Sequence, residues 1–228
     1  MKCKFGAIVV DGRNKLGGHV ASKNRAGAYW RTKVTPMNPG STYQVNVRNR
    51  FSGLSSAWRG LEDAERKAWN AAVSDFKKTD IFGDTRNPSG FNLHQKLNNN
   101  LLNIGIDVIT TPPLPEAIDA FTTLSVAASF SGQTLTVTFA DIINATHRVF
   151  LLATPGLSPG ITFVKSEFRQ ITYLNSANTS PFSAETAYIV KFGAVPAANM
   201  KIFVRLIQVN LTTGQAGIPI QASCIVAA

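Results

Sequence analysis

Thr110-Thr111-Pro112-Pro113-Leu114-Pro115 is followed by Leu124, Val126 and Ala128, then by Leu135, Val137 and Phe139, with Ser131-Gly132-Gln133 between the two sets. Three prolines in four positions make a stiff connector. The apolar residues beyond it recur every second position on both sides of a glycine turn, which predicts a β-hairpin. Further strands are predicted at 148–154, 162–172, 185–192, 201–210 and 218–226, with turns at Pro155-Gly156, Gly193 and Thr213-Gly214. Seven short strands at this spacing read as an immunoglobulin-like or fibronectin-like β-sandwich, although the Cys…Trp…Cys core of true immunoglobulin domains is missing.

Before the connector the apolar period is helical. Val47, Phe51, Leu54 and Trp58 form one stripe over 42–59, which predicts a helix capped by Ser41 or Thr42 and ended by Gly60. Arg48 and Arg50 lie off that stripe and are expected to face outward. A second helix is predicted over 62–76, with Glu62, Asp63 and Glu65 in its first turn and Lys77-Lys78 at its end. Pro88-Ser89 opens a third, carrying Phe91, Leu93, Leu97, Leu101 and Ile104 and stopped by Gly105. The asparagine run 98–100 is unusual inside a helix and marks either polar contacts across an interface or a helix held by tertiary packing.

Residues 4–35 read as short extended segments between glycine turns: Phe5–Val10, His19–Lys23 and Ala28–Thr35, broken at Asp11-Gly12, Gly17-Gly18 and Arg25-Ala26-Gly27. They form either a small β-meander or an arm that orders against a partner. The class is therefore α+β: a basic meander or arm (1–40), a three-helix bundle (41–111), a proline-rich linker (112–118) and a seven-stranded sandwich (119–228).

Charge follows the same division. Residues 1–105 hold 17 Lys+Arg against 7 Asp+Glu, whereas 106–228 hold 6 against 6, so the whole net charge of +10 lies in the front half. A block of one sign is suited to meeting the opposite sign on a partner. Lys15, Lys23, Arg25, Arg31 and Lys33, interleaved with Tyr29 and Trp30 and continued by Arg48 and Arg50, are the candidate partner-binding residues. The mixture suits an acidic groove on a neighbouring subunit, phosphates with base stacking, or a face that keeps the protein soluble.

Catalytic constellations are not found. His19, His94 and His147 stand apart without metal-type neighbours, the acids are scattered, and no phosphate loop or nucleophile elbow occurs. A glycosidase would need paired carboxylates that the chain does not offer. No enzyme, metal or cofactor is expected. Cys3 and Cys224 could tie the chain ends, but two free thiols are expected. No run of eighteen apolar residues exists, and the N-terminus lacks a signal-length apolar core, so neither membrane span nor secretory signal is expected.

Several phrases occur together: Ser22-x-Asn24-Arg25-x-Gly27, Pro36-x-Asn38-Pro39, Trp58, Trp69 and Ser89-Gly90-Phe91-Asn92. Over residues 4–113 the chain resembles an uncharacterised family of bacteriophage, prophage and Bacteroidota proteins that join a basic front module to a variable β-rich part. Gly40 departs from the larger polar residue usual there. The resemblance implies a virion structural protein made in the host cytoplasm, with other virion subunits as partners, homo-oligomerisation, and packaged nucleic acid as a further candidate partner. A phage-encoded, non-sequence-specific DNA-binding protein is the alternative.

Overall fold

The computed structural model describes residues 2–4 and 12–228. The expected strand at Phe5–Val10, and Asp11 of the first turn, lie outside the described residues. The described residues form four α-helices and twelve strands, an α+β arrangement.

The front of the chain is a three-stranded antiparallel sheet, β1 (Asn14–Leu16), β2 (His19–Asn24) and β3 (Gly27–Thr32). Gly17, at φ +57°, makes the first turn, where a side chain would be strained. Lys2 pairs with Tyr29 beyond β3, and the Cys3 N–H donates to the Ala28 carbonyl at 3.1 Å.

Helix α1 (Thr42–Gly60) begins at Ser41, whose hydroxyl accepts from the Gln44 N–H. Helix α2 (Asp63–Ala72) starts with a reciprocal capping box between Glu62 and Glu65 and tightens into a 3-10 turn over Val73–Phe76. A two-stranded hairpin, β4 (Lys78–Thr79) and β5 (Thr85–Arg86), follows. Helix α3 (Gly90–Asn103) is capped by Ser89, and Gly105 leaves it at φ +75°. Both α1 and α2 pack on α3. Leu61, Trp69, Leu93 and Leu97 are buried between them, and the Trp69 indole donates to the Thr110 carbonyl.

Beyond the connector come β6 (Leu124–Ser129), β7 (Thr134–Phe139), β8 (His147–Ala153), β9 (Arg169–Leu174), β10 (Phe182–Ser183), helix α4 (Glu185–Phe192), β11 (Lys201–Asn210) and β12 (Ile220–Ile225). They form a three-stranded sheet, β10-β7-β6, and a four-stranded sheet, β12-β11-β8-β9. Leu135 and Val137 of the first and Val149, Leu151, Val204 and Leu206 of the second meet in one buried core.

The unbroken apolar run Val149–Ala153 has a structural cause. Its odd-numbered residues face that core, while Phe150 and Leu152 face the other side, where they pack with Val209, Leu101 and Ile104. The end of α3 thus covers the outer face of the four-stranded sheet. Strands buried on both faces lose alternation.

Two expected strands need correction. Residues 185–192 form α4, not a strand. Ala184 and Tyr188 are four apart and both fully buried, and the Tyr188 hydroxyl donates to the Thr154 carbonyl at 2.9 Å. That anchor, with Gly193 at φ +93° ending the helix, overrides the strand preference of Thr186, Ile189 and Val190. The strand expected over 162–172 is confined to Arg169–Leu174. Phe163 is exposed while Val164 is buried, so this segment only touches the core in passing. The two-residue β10 was not expected.

The connector is fastened rather than free. The Glu116 N–H donates to Gln215 Oε1, Gln215 Nε2 donates to the Leu114 carbonyl, and Asn210 Nδ2 donates to the Glu116 carboxylate. Asn98 donates to and accepts from the Ile109 backbone, and Asn100 donates to the Gly214 carbonyl at 2.8 Å. The Arg148 guanidinium donates to the Ile104 carbonyl. Two members of the asparagine run therefore hold the helices to the connector and the β-rich half. Cys3 and Cys224 are free thiols.

Candidate docking surface

The pairing register of the front sheet sorts the candidate residues onto two faces. Directly opposed residues share a face. Lys15 opposes Val20, Val20 opposes Arg31, and Ser22 opposes Tyr29. Lys15, Tyr29 and Arg31 therefore stand on one side. Ala21 opposes Trp30 and Lys23 opposes Ala28, so Lys23 and Trp30 stand on the other, where Ala21 is buried. Lys33 follows β3, its N–H donating to the Gly18 carbonyl at 2.8 Å. Lys15, Lys23, Arg31 and Lys33 are exposed, while Tyr29 and Trp30 are half-buried.

Arg25 sits in the β2–β3 turn and lines a hollow of about 600 Å³ together with Lys77, Arg86, Ser89 and Asn92. The hollow lies at the N-terminal end of α3. Sequence spacing alone did not bring Lys77 and Arg86 to Arg25.

Part of the front module's counter-charge is internal. Lys2 pairs with Asp80 at 3.4 Å and Lys4 with Asp84 at 2.9 Å, while Arg86 reaches Asp80 at 3.2 Å and Asp84 at 3.7 Å. Burial pushes the Asp80 carboxyl up. Hydrogen bonds from the Phe82 N–H, Arg86 and the Asp84 N–H, with Lys2 nearby, outweigh it and hold the group at about 2. No local spacing within 80–87 marks these pairings. The one signal was that Asp80 and Asp84 are the sole acids between residues 76 and 105.

Helix α1 departs from expectation in a way that shapes the surface. Arg48 is exposed, but Arg50 is half-buried and donates to the Asn103 side chain at the end of α3. Arg50 precedes buried Leu54 by one turn, so it flanks the packed face rather than pointing outward. Contacts of Trp58 with Phe91 and His94, Ser55 with Gln95, and Arg50 with Asn103 show that α1 and α3 run antiparallel. The first turn of α1 consequently extends past the end of α3, and Val47 and Phe51 lie alongside its last turns.

The apolar stripe is thus covered only at its C-terminal end. Leu54 is 2% exposed, whereas Val47 is 65% and Phe51 58% exposed. Tyr43 meets α4, with Lys191 Nζ 3.7 Å from its ring centroid. A groove of about 440 Å³ runs between the helices, lined by Val47, Phe51, Leu54, Gln95, Lys96 and Asn99 among others. Lys96 is exposed, and partial desolvation against the helices, with Lys78 nearby, holds its ammonium below its usual range.

His94 lies in the core between Trp58 and Trp69, at ring-centroid distances of 5.4 and 5.2 Å. Its Nδ1 has no hydrogen-bond partner among the described residues, and burial lowers its pKa. It fills space as a neutral ring. Among the described residues, no group of three or more His, Cys, Asp or Glu side chains is placed to hold a metal ion, and no helix is long and apolar enough to cross a membrane. Comparison with protein-family models, curated proteins and solved structures gives no significant match for the chain.

Proposed function

We propose that the chain is a bacteriophage virion structural protein of the capsid, neck or decoration layer, docking through its basic front module and presenting its β-rich half outward. The carrying observation is the character of the front surface. Leu16, Val34, Met37, Val47 and Phe51 are each more than half exposed, and Lys15, Lys23, Arg31, Lys33 and Arg48 of the same module are exposed as well. No acid occurs between residues 12 and 61. Large apolar side chains left in water mark a surface made to be covered. The exposed cations of the same module select an acidic neighbour and repel a basic one.

In this reading α1–α3 act as a small bundle and the two sheets as an immunoglobulin-like or fibronectin-like sandwich. Supporting it, the first, second and fifth strands after the connector share one sheet, the third, fourth, sixth and seventh share the other, and both sheets contribute to one core, as two packed sheets of a sandwich do. Helix α4 occupies the crossing between the fifth and sixth. Mass spectrometry of particles purified from a producing culture tests the role. The chain is expected at structural-protein abundance, and its absence from particles sinks the reading.

A second reading, non-sequence-specific DNA binding, is favoured by Lys15, Tyr29 and Arg31 sharing one sheet face and by the hollow at Arg25, Lys77 and Arg86. It requires affinity for generic duplex DNA that falls steeply with salt and is lost when Lys15, Arg25 and Arg31 become Ala. Binding that is undetectable or independent of salt removes it.

A further inference from the structure

The groove between α1 and α3 has two unmet needs. Its apolar wall, Val47 and Phe51, stands in water above buried Leu54. Gln95, 8% exposed, lines it and donates from Nε2 to Ser55 Oγ at 3.2 Å, yet its buried Oε1 accepts no hydrogen bond from the described residues. Buried acceptors are normally paired in the native assembly. Neither α1 nor α3 contains an Asp or Glu, and Lys96 stands in the groove wall. An occupant must therefore bring an apolar side chain, a hydrogen-bond donor and negative charge. Two such grooves facing each other would bring only like charges together.

The opposite set of needs lies on the β-rich half. Ile142, in the loop between β7 and β8, is 91% exposed, the highest value among the exposed large apolar residues described. It borders a hollow of about 470 Å³ lined by Glu116, Asp119 and Asp141, with no Lys or Arg in the lining. An apolar peg ringed by carboxylates matches an apolar groove bearing a cation.

We propose that the Asp141–Ile142 loop of a second copy occupies the α1–α3 groove. Ile142 seats against Val47, Phe51 and Leu54, Asp119 faces Lys96, and an N–H of the loop reaches Gln95 Oε1. The contact joins two different patches of the chain, so repetition builds a closed assembly or an open filament according to the rotation between copies. This deepens the structural role proposed above but is testable without particles.

Sedimentation velocity on the purified full chain provides the test. Wild type is expected to associate with rising concentration. Ile142→Lys, at an exposed position that leaves the core untouched, is expected to sediment as a monomer with an unchanged far-UV spectrum. Lys96→Glu and Asp119→Lys are each expected to weaken association at least tenfold, and the double variant to recover most of it. A wild type that stays monomeric up to about 0.1 mM, where even weak contacts register, overturns the proposal. So does association that Ile142→Lys leaves intact, or a double variant no better than either single one. A monomeric protein found in particles would leave the virion reading standing, and a self-associating protein absent from them would leave this one.

Discussion

Replacing Gly214 by Ala probes the seam between the helices and the β-rich half at one atom. Gly214 adopts φ +66°, which costs an L-residue about 1–2 kcal/mol. A methyl there would collide with the Leu97 carbonyl oxygen, with the carbonyl carbon 2.9 Å and Leu101 Cγ 3.0 Å away. Backbone atoms of a packed helix cannot turn aside, so overpacking adds about 1–3 kcal/mol. The sum, about 2–5 kcal/mol, falls on the interface that Asn100 fastens by donating to the Gly214 carbonyl. All three tryptophans, Trp30, Trp58 and Trp69, lie in the front half, so fluorescence reports on that half while far-UV circular dichroism reports on both. In urea, wild type is expected to show coincident transitions by the two probes. Gly214→Ala should lower the midpoint and separate them as the halves uncouple. Coincident transitions with a loss under about 0.5 kcal/mol, the range of an ordinary surface substitution, would refute the packing described for this seam.

Three further outcomes are expected. Burial lowers the folded-state pKa of His94 below 6.5, so the unfolded chain binds the extra proton first and stability falls as pH drops through and below 6.5. His94→Gln should remove that slope in urea midpoints measured from pH 7.5 to 5. Asp80 is held at about 2 against an ordinary 3.8, so its contribution is present above pH 4 and is lost as pH falls from 4 toward 2. Asp80→Asn should flatten the thermal midpoint across that window, and an unchanged slope would show that another carboxylate controls it. Tyr188→Phe leaves the buried Thr154 carbonyl without its hydroxyl donor and should cost about 1–3 kcal/mol in urea unfolding; a loss near zero would mean that water replaces the donor.

The parts legible in the sequence were those decided within a few residues. Ser41, Ser89 and Gly105 mark helix ends through local hydrogen bonding and φ, and all three are found in those roles. The hairpin joining β6 to β7 follows from alternation across a turn. What stayed hidden depended on distant groups. The stripe through Val47, Phe51, Leu54 and Trp58 tells which side of α1 is apolar but not where α3 stops. Its reach is set by Asn103, 53 residues beyond Arg50. Residues 185–192 carry β-branched side chains, and the burial of Tyr188 with its bond to the Thr154 carbonyl, 34 residues away, has no local signature. The pairing of Lys2 with Asp80 spans 78 residues and has no local signature. For the candidate site, the residue types were legible, but their division between two sheet faces came from the β2–β3 register.

Zero-length carbodiimide cross-linking of purified particles, read by mass spectrometry, tests docking through the front module most directly. It joins lysines to carboxylates in contact. The predicted result is a set of links from Lys15, Lys23 or Lys33 to Asp or Glu residues of a neighbouring virion subunit, diminished when those lysines become Gln. Particles that hold the chain with intermolecular links confined to residues 119–228, or particles that lack it altogether, would contradict it.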